Sequence, residues 1–212
     1  MNRFERIIPR YSWIPLMICF FVNGLVYWIT QALMENSYHY DFTTDFDRMV
    51  PAVSWWVSIY ILSYGFWALC YIKISRESRS ACRELVGADL IAKTICAIFF
   101  IILPTTNVRP QLGDGFWDVI LGTIYAMDAP TNLFPSIHCL VSWLCFAAMR
   151  DKQGIPKWMK LCTLIFALAV CASTQFTKQH YIVDVVGGII LAEIALLISK
   201  KRNGTHRLIQ KG

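Results

Sequence analysis

The sequence has little charge and no long polar stretch. Only 16% of its 212 residues are charged, while 56% are hydrophobic, and soluble domains carry about 25% charged residues. Internal repeats, Gly/Ser linkers and low-complexity segments are also absent. These shortages exclude an ordinary soluble protein and a disordered one, and we expect residues 1–212 to form one domain.

The sequence also lacks the patterns of disulfide and metal chemistry. Cys82 lies in a basic segment, and the other cysteines fall inside apolar runs, so we expect no disulfide framework. Cysteine and histidine do not occur at the spacings of metal ligands, and we expect neither a metal nor another cofactor. The cysteines in apolar runs are Cys19, Cys70, Cys96, Cys139, Cys145, Cys162 and Cys171.

Apolar runs are abundant instead. Six of them approach the roughly 20 helical residues that cross a hydrocarbon core of about 30 Å. Their apolarity is continuous, which favours helices over the alternating strands of a membrane barrel. We therefore predict an all-α, multi-pass membrane protein with six transmembrane helices, of which the fourth is short and extends upstream. The runs are 11–34, 51–74, 86–104, 134–150, 157–177 and 180–199.

Lysine and arginine predict the orientation of these helices. If the chain crosses the membrane six times, most lysines and arginines lie on one membrane face, and Arg48, Arg109 and Lys178 lie on the other. By the positive-inside rule, the basic face and both termini are cytoplasmic. The net charge of +6 then reflects the membrane orientation and contact with anionic lipid rather than nucleic-acid binding. The cytoplasmic set is Arg3, Arg6, Arg10, Lys73, Arg76, Arg79, Arg83, Arg150, Lys152, Lys157, Lys160, Lys200, Lys201, Arg202, Arg207 and Lys211.

Two histidines begin apolar runs at the opposite, extracytoplasmic face. His138 follows Pro135-Ser136-Ile137, and His180 precedes Tyr181-Ile182-Val183-Asp184. The topology brings both to one membrane level, together with Arg109 in the long segment 105–133, which we expect to be irregular. The sequence therefore predicts a site that is built across the outer ends of several helices.

The residue types of this site suit chemistry at phosphorus. Asp184 lies one helical turn after His180 and can orient its ring, which leaves one nitrogen free for nucleophilic attack. His138 is placed to act as a general acid. Ser136 and the first N–H groups of its helix can bind an anion.

Two cations complete the candidate set. Arg109 offers a planar fork for phosphate oxygens, and Lys178 offers a second positive charge. Each element also has a structural alternative: the His180–Asp184 pair can be a helix cap with an ion pair, and Ser136 can be an N-cap. Arg109 and Lys178 can be interfacial anchors.

Charges inside the apolar runs need partners. Lys93 and Glu193 lie at similar depths above the cytoplasmic face, so we expect Lys93 to pair with Glu193 or with Asp89 one turn below. Gly187-Gly188 predicts close helix packing. The outer segment 38–42 is either an interfacial belt or a lid, and the sequence does not decide between them.

The order of these motifs resembles the type 2 phosphatidic acid phosphatase (PAP2) superfamily, whose pattern runs KxxxxxxRP, PSGH and SRxxxxxHxxxD on a six-helix core. The resemblance covers residues from about 51 to 199, and the first span, 11–34, is expected to pack on that core. It implies a metal-free site with phosphate contacts, a general acid, a nucleophile and an orienting carboxylate. In that order these are Arg109 and Ser136, His138, His180, and Asp184.

Three positions depart from the family pattern. Ile102 replaces the first lysine, Thr174 replaces the arginine of the third motif, and Ile137 replaces a glycine. Two cations are therefore missing, and Lys178 can substitute for one of them. The sequence is most similar to the branch with PSxH and HYxxD, which includes relatives of inositol phosphorylceramide synthase and sphingomyelin synthase.

The resemblance implies a lipid-phosphate phosphatase of the cell membrane that forms a phosphohistidine intermediate at the outer face. Two alternatives stay open. One is a phosphotransferase that moves a phospho-headgroup, such as inositol phosphate, between lipids. The other is an inactive transporter or scaffold. The expected partners are a lipid phosphate and the bilayer, with no nucleic acid, and a homo-oligomer is left open.

Overall fold

The chain folds into an all-α bundle, as its composition predicts. The computed structural model describes residues 8–209, with side chains from 8 to 204. Arg3, Arg6, Lys211 and the side chain of Arg207, which contributed to the orientation argument, lie outside these residues. The helices are α1 (Trp13–Met34), α2 (Asp45–Met49), α3 (Val57–Glu77), α4 (Arg79–Ile102), α5 (Phe116–Met127), α6 (Ile137–Arg150), α7 (Lys157–Phe176) and α8 (Ile182–Ile209), and the strands are β1 (Tyr40–Asp41) and β2 (Thr105–Thr106).

In the described residues, five helices are long and apolar enough to cross a membrane: α1, α3, α4, α7 and α8. Helix α6 has only 14 residues and does not extend upstream, so the prediction for its start was wrong. The helix begins after Pro135 because Ser136 Oγ accepts a hydrogen bond from the N–H of Cys139 at 3.3 Å. Helices α3, α4, α7 and α8 contact α6, and protein rather than lipid surrounds most of it.

Helix α4 begins earlier than predicted, at Arg79 rather than at residue 86. Ser78 alone separates it from α3, and the Ser78 hydroxyl caps α4 by accepting the N–H of Ala81 at 3.0 Å. This side-chain cap allows a new helix to start directly after the previous one. Arg79 and Arg83 consequently lie on a helix and not in a loop.

Glycine allows α8 to approach the beginning of α6. A Cβ atom at Gly188 would lie 2.6 Å from the carbonyl oxygen of Ser136, and one at Gly187 would lie 2.5 Å from the ring of Phe134. Contacts of that length do not occur without displacement of a neighbour. The predicted packing role of Gly187-Gly188 is confirmed.

The charges inside the spans are paired. Lys93 Nζ lies 2.8 Å from Asp89 Oδ2 and donates to the carbonyl of Cys19 at 2.9 Å, which confirms one of the two predicted pairings. The alternative with Glu193 was wrong. Glu193 belongs to the contact between α8 and α6, where it binds the guanidinium of Arg150 at 2.5 and 2.7 Å.

The segment after α1 is attached to the end of the bundle where α4 ends and α8 begins. Strand β1 pairs in parallel with β2, and α2 carries a capping box in which Thr44 and Asp47 bond each other's backbone N–H. The segment 105–133 is less irregular than predicted, because it contains α5. These contacts fix the polypeptide above the ends of α4, α7 and α8.

The contact at Gly188 predicts a strong effect of a single methyl group. We expect Gly188→Ala to lower the free energy of unfolding by about 1–3 kcal/mol, because the methyl meets a backbone carbonyl that cannot rotate away. Thermal unfolding of the detergent-solubilised protein measures it. Gly65→Ala in α3 is the control, since no atom lies within 4 Å of its added Cβ. An equal melting temperature for both variants would contradict the close approach.

Candidate active site

His138 and His180 face one cavity at the end of the bundle where α6 and α8 begin. His138 is the second residue of α6, and His180 lies in the turn that joins α7 to α8. Their ring centroids are 6.1 Å apart, and both rings line a cavity of about 260 Å³. Side chains from two separate segments are thus close enough to contact one small anion.

The turn that carries His180 is held by backbone hydrogen bonds. The carbonyl of Thr174 accepts the N–H groups of Gln179 at 3.0 Å and of His180 at 3.1 Å. The side-chain amide of Gln175 donates to the carbonyl of His180 at 3.0 Å. His180 is 7% exposed, so its ring has little freedom to leave the cavity.

Asp184 lies behind His180 at the start of α8. Its Oδ2 is 3.6 Å from His180 Nδ1, which is an ionic contact rather than a hydrogen bond, and the same oxygen accepts the N–H of Tyr181 at 2.8 Å. Burial lowers the pKa of His180, but nearby negative groups, of which Asp184 contributes most, outweigh it and the net pKa is raised. Asp184 therefore stabilises positive charge on this imidazole.

Aromatic side chains hold the ring of His138. Tyr60 stacks on it with centroids 4.1 Å apart, and the Tyr60 hydroxyl lies 3.4 Å from Nδ1. The Tyr64 hydroxyl lies 3.2 Å from Nε2. Both tyrosines come from α3, which thus sets the orientation of a histidine on α6.

Asp128 is a member of the site that the sequence did not indicate. Its carboxylate lines the cavity and accepts hydrogen bonds from the hydroxyls of Tyr27 and Tyr60. Tyr27 lies on α1, so the first helix also forms part of the cavity wall. Asp128 belongs to no sequence motif, because its partners Tyr27 and Tyr60 are far away along the chain.

Arg109 lies beside the cavity rather than in its lining. Its Nη1 donates to the carbonyls of Asp128 at 2.5 Å and Tyr125 at 3.1 Å, and its Nη2 donates to Gln179 Oε1 at 2.5 Å. Gln179 lines the cavity and separates it from the guanidinium. Burial lowers the pKa of Arg109, and the nearby Asp128 opposes that effect, but the guanidinium stays charged.

The side chains of Ser136 and Lys178 do not line the cavity. Ser136 is fully buried and caps α6, and its N–H donates to the carbonyl of Asp184 at 3.1 Å. Lys178 Nζ donates to the carbonyls of Asp47 at 2.7 Å and Val50 at 2.5 Å. Burial lowers the pKa of Lys178, and Asp47 acts in the opposite direction. Neither side chain lines the cavity, and a phosphate contact of either stays a prediction.

The two residues at the positions of the missing family cations do not face the cavity. Ile102 is exposed at the end of α4, and Thr174 is buried with its hydroxyl donating to the carbonyl of Cys171 at 2.8 Å. No group of three or more metal-ligating side chains is close enough to hold an ion in the described part of the chain. The cavity therefore combines two histidines with a carboxylate and only one adjacent arginine.

Comparisons with known proteins identify the family of the chain. The sequence profile of the PAP2 superfamily matches residues 32–198. The chain belongs to the PAP2 superfamily. Within this PAP2 protein, a segment of 90 residues is 30% identical to the catalytic subunit of inositol phosphorylceramide synthase, aur1, of Schizosaccharomyces pombe. That segment covers 40% of the chain and 21% of the relative. No solved structure matches significantly.

Replacement of Asp184 tests its effect on His180. We expect Asp184→Asn to lower the pKa of His180, because the carboxylate that favours the protonated ring is lost while burial remains. The pH dependence of diethyl pyrocarbonate modification, read on the His180 peptide by mass spectrometry, reports the change. Asp114→Asn, on the exposed outer loop, is the control.

The same pair has a predicted effect on stability. The pKa of His180 is raised in the folded chain. The stabilisation that His180 gives to the folded state is therefore fully present below the ordinary histidine pKa of about 6.5, and it is lost as the pH rises through the pKa of the folded state. An unchanged titration of His180 in Asp184→Asn would show that the 3.6 Å contact has no electrostatic effect.

Proposed function

We propose that this PAP2 protein is a membrane lipid-phosphate phosphatase that works through a phosphohistidine at His180. In the first step, His180 Nε2 forms a bond to phosphorus while the ester P–O bond breaks. His138 gives its proton to the departing alkoxide. Asp184 stabilises the positive charge that develops on His180.

The second step regenerates the enzyme. Water gives a proton to His138, its oxygen attacks phosphorus, and the N–P bond breaks as phosphate is released. His138 thus acts first as an acid and then as a base, which returns each group to its starting state. Arg109, behind Gln179, adds positive potential at the side of the cavity where the phosphate charge would lie.

The observation that supports this proposal most directly is the placement of His138 and His180 around one cavity, with centroids 6.1 Å apart and Asp184 next to His180. We assign the cavity to the extracytoplasmic face of the cell membrane. The basic residues Arg79, Lys152 and Lys200 lie at the opposite end of the bundle, and basic segments stay in the cytoplasm.

A second candidate function is phosphotransfer to a lipid or polyol hydroxyl. Gln179 Nε2, Thr131 Oγ1 and Asn23 Oδ1 line the cavity, are buried and have no hydrogen-bond partner among the described residues. Unpaired buried polar atoms are costly, and a hydroxyl-rich ligand would satisfy both donors and acceptors. The similarity to inositol phosphorylceramide synthase, a synthase by name, points the same way.

Substitution of the histidines tests the intermediate. We expect His180→Ala to lower turnover at least ~10³-fold, since the nucleophile is removed, and His138→Ala to lower it by about 10²–10⁴-fold. With ³²P-labelled lipid phosphate, the native protein should retain an acid-labile, alkali-stable label on the His180 peptide, and His180→Ala should not.

His39→Ala is the matched control, because His39 is outside the cavity lining and its loss should leave turnover unchanged. A label on another residue, or full activity of His180→Ala, would mean that the nucleophile is wrongly assigned. If the native protein turns over neither a lipid phosphomonoester nor a phosphodiester, the inactive transporter or scaffold is the better interpretation.

The acceptor distinguishes hydrolysis from transfer. The purified protein is incubated with phosphatidic acid or phosphatidylinositol, each with and without fluorescent ceramide. Released phosphate is measured, and the fluorescent lipids are separated by thin-layer chromatography. Release of free phosphate supports the phosphatase. A new phosphodiester lipid that forms only with ceramide supports transfer, and Gln179→Leu should then reduce transfer more than hydrolysis.

A further inference from the structure

A second cavity lies at the other end of the bundle. It has a volume of about 650 Å³ and opens between α1, α4 and α8. Along α8, Arg202 is 20 residues beyond Ile182, so this cavity is about 30 Å from the histidines. It is lined by Tyr11, Pro15, Arg79, Cys82, Arg83, Val86, Gly87, Ile91, Ser199, Arg202 and Asn203.

The lining changes from basic to apolar along α4. Arg79 and Arg83 stand at the start of the helix, and Val86 and Ile91 line the cavity further along it. The stripe from residue 79 to residue 91 is about 18 Å long. Pro15 of α1 adds another apolar wall. This gradient matches the order of a charged headgroup and an acyl chain in a phospholipid.

Among the residues with described side chains, 8–204, no acid compensates the positive charge of this cavity. No carboxylate lines it, and no acidic side chain among the described residues forms an ion pair with Arg79, Arg83 or Arg202. The nearby acids bind other cations: Glu84 lies 2.6 Å from Lys152. Likewise, Asp151 lies 2.8 Å from Lys200, and Glu77 lies 2.9 Å from Lys73. An anion is therefore the complementary ligand.

Two contacts give the cavity a defined shape. The Tyr11 hydroxyl donates to the carbonyl of Ser75 at 2.6 Å, and the guanidinium of Arg79 lies 5.2 Å from the centre of the Tyr11 ring. Ser199 Oγ donates to the carbonyl of Glu84 at 2.8 Å, which holds α8 against α4. The walls are thus fixed by interactions that need no ligand.

We propose that this cavity binds an anionic phospholipid of the cytoplasmic leaflet. Arg79, Arg83 and Arg202 contact its phosphate group, and one acyl chain lies along Val86 and Ile91. Free phosphate would leave the apolar part of the cavity unfilled, whereas a lipid uses both parts. The site is separate from the catalytic cavity, and the proposal does not depend on the reaction at His180.

Thermal unfolding of the purified full chain in mixed micelles tests the proposal. We expect dioleoyl phosphatidylglycerol to raise the melting temperature by about 5 °C relative to dioleoyl phosphatidylcholine. The double variant Arg83→Gln/Arg202→Gln should lose this increase. Arg76→Gln/Lys157→Gln is the matched control: it removes the same charge from exposed residues at the same end, outside the cavity lining, and should keep it.

A second variant examines the apolar part of the site without a change of charge. Val86→Phe fills the acyl region and should also abolish the response to phosphatidylglycerol. The proposal is overturned if the two double variants respond alike, if phosphatidylcholine stabilises as well as phosphatidylglycerol, or if inorganic phosphate alone reproduces the shift. A full response of Val86→Phe would exclude the acyl contact.

Discussion

The contact between the start of α6 and the start of α8 determines where both histidines lie. The N–H of Ser136 donates to the carbonyl of Asp184 at 3.1 Å, and Gly188 leaves the space for this approach. His138 follows Ser136 by two residues, and His180 precedes Asp184 by four. A shift of either helix by one residue would rotate its side chains by about 100° and separate the rings.

A layer of polar contacts at the outer face supports this arrangement. Asp47 Oδ1 accepts the N–H of Ile182 at 2.8 Å, at the helix end where a negative charge is favourable. Lys178 binds the carbonyls of Asp47 and Val50 and so attaches the turn before α8 to the segment around α2. A lysine next to a candidate nucleophile can thus stabilise the loop rather than bind substrate.

The sequence predicts the parts of the structure that depend on local spacing. Runs of about 20 apolar residues locate the long helices. The four-residue interval between His180 and Asp184 predicts their 3.6 Å contact, but the shared helix face was wrong, because α8 begins at Ile182 and His180 lies in the turn before it. The positions of Asp128 and Lys178 depend on Tyr27 and Asp47, whose distances in the chain carry no periodic signal. Helix α6 was misjudged because its start is set by the Ser136 cap and not by hydrophobicity.

The sequence likewise does not show the surroundings of the two residues that stand where the family has cations. The motif comparison identifies Ile102 and Thr174 as substitutions, but only the structure shows that Ile102 is exposed and that Thr174 is buried, with its hydroxyl bonded to the Cys171 carbonyl of its own helix. Arg109 retains its expected position near the site, although Gln179 stands between it and the cavity. Sequence motifs therefore predicted which residues lie near the site, whereas packing determined which atoms each side chain contacts.

The length of α6 has a consequence for access to the histidines. Its 14 residues rise about 21 Å, less than the about 30 Å of a hydrocarbon core. With Arg150 at one boundary, His138 lies about 18 Å along the helix axis from it, which is below the opposite boundary. Water and lipid headgroups must therefore both enter the bundle to meet His138 at that depth, through the cavity that its ring lines.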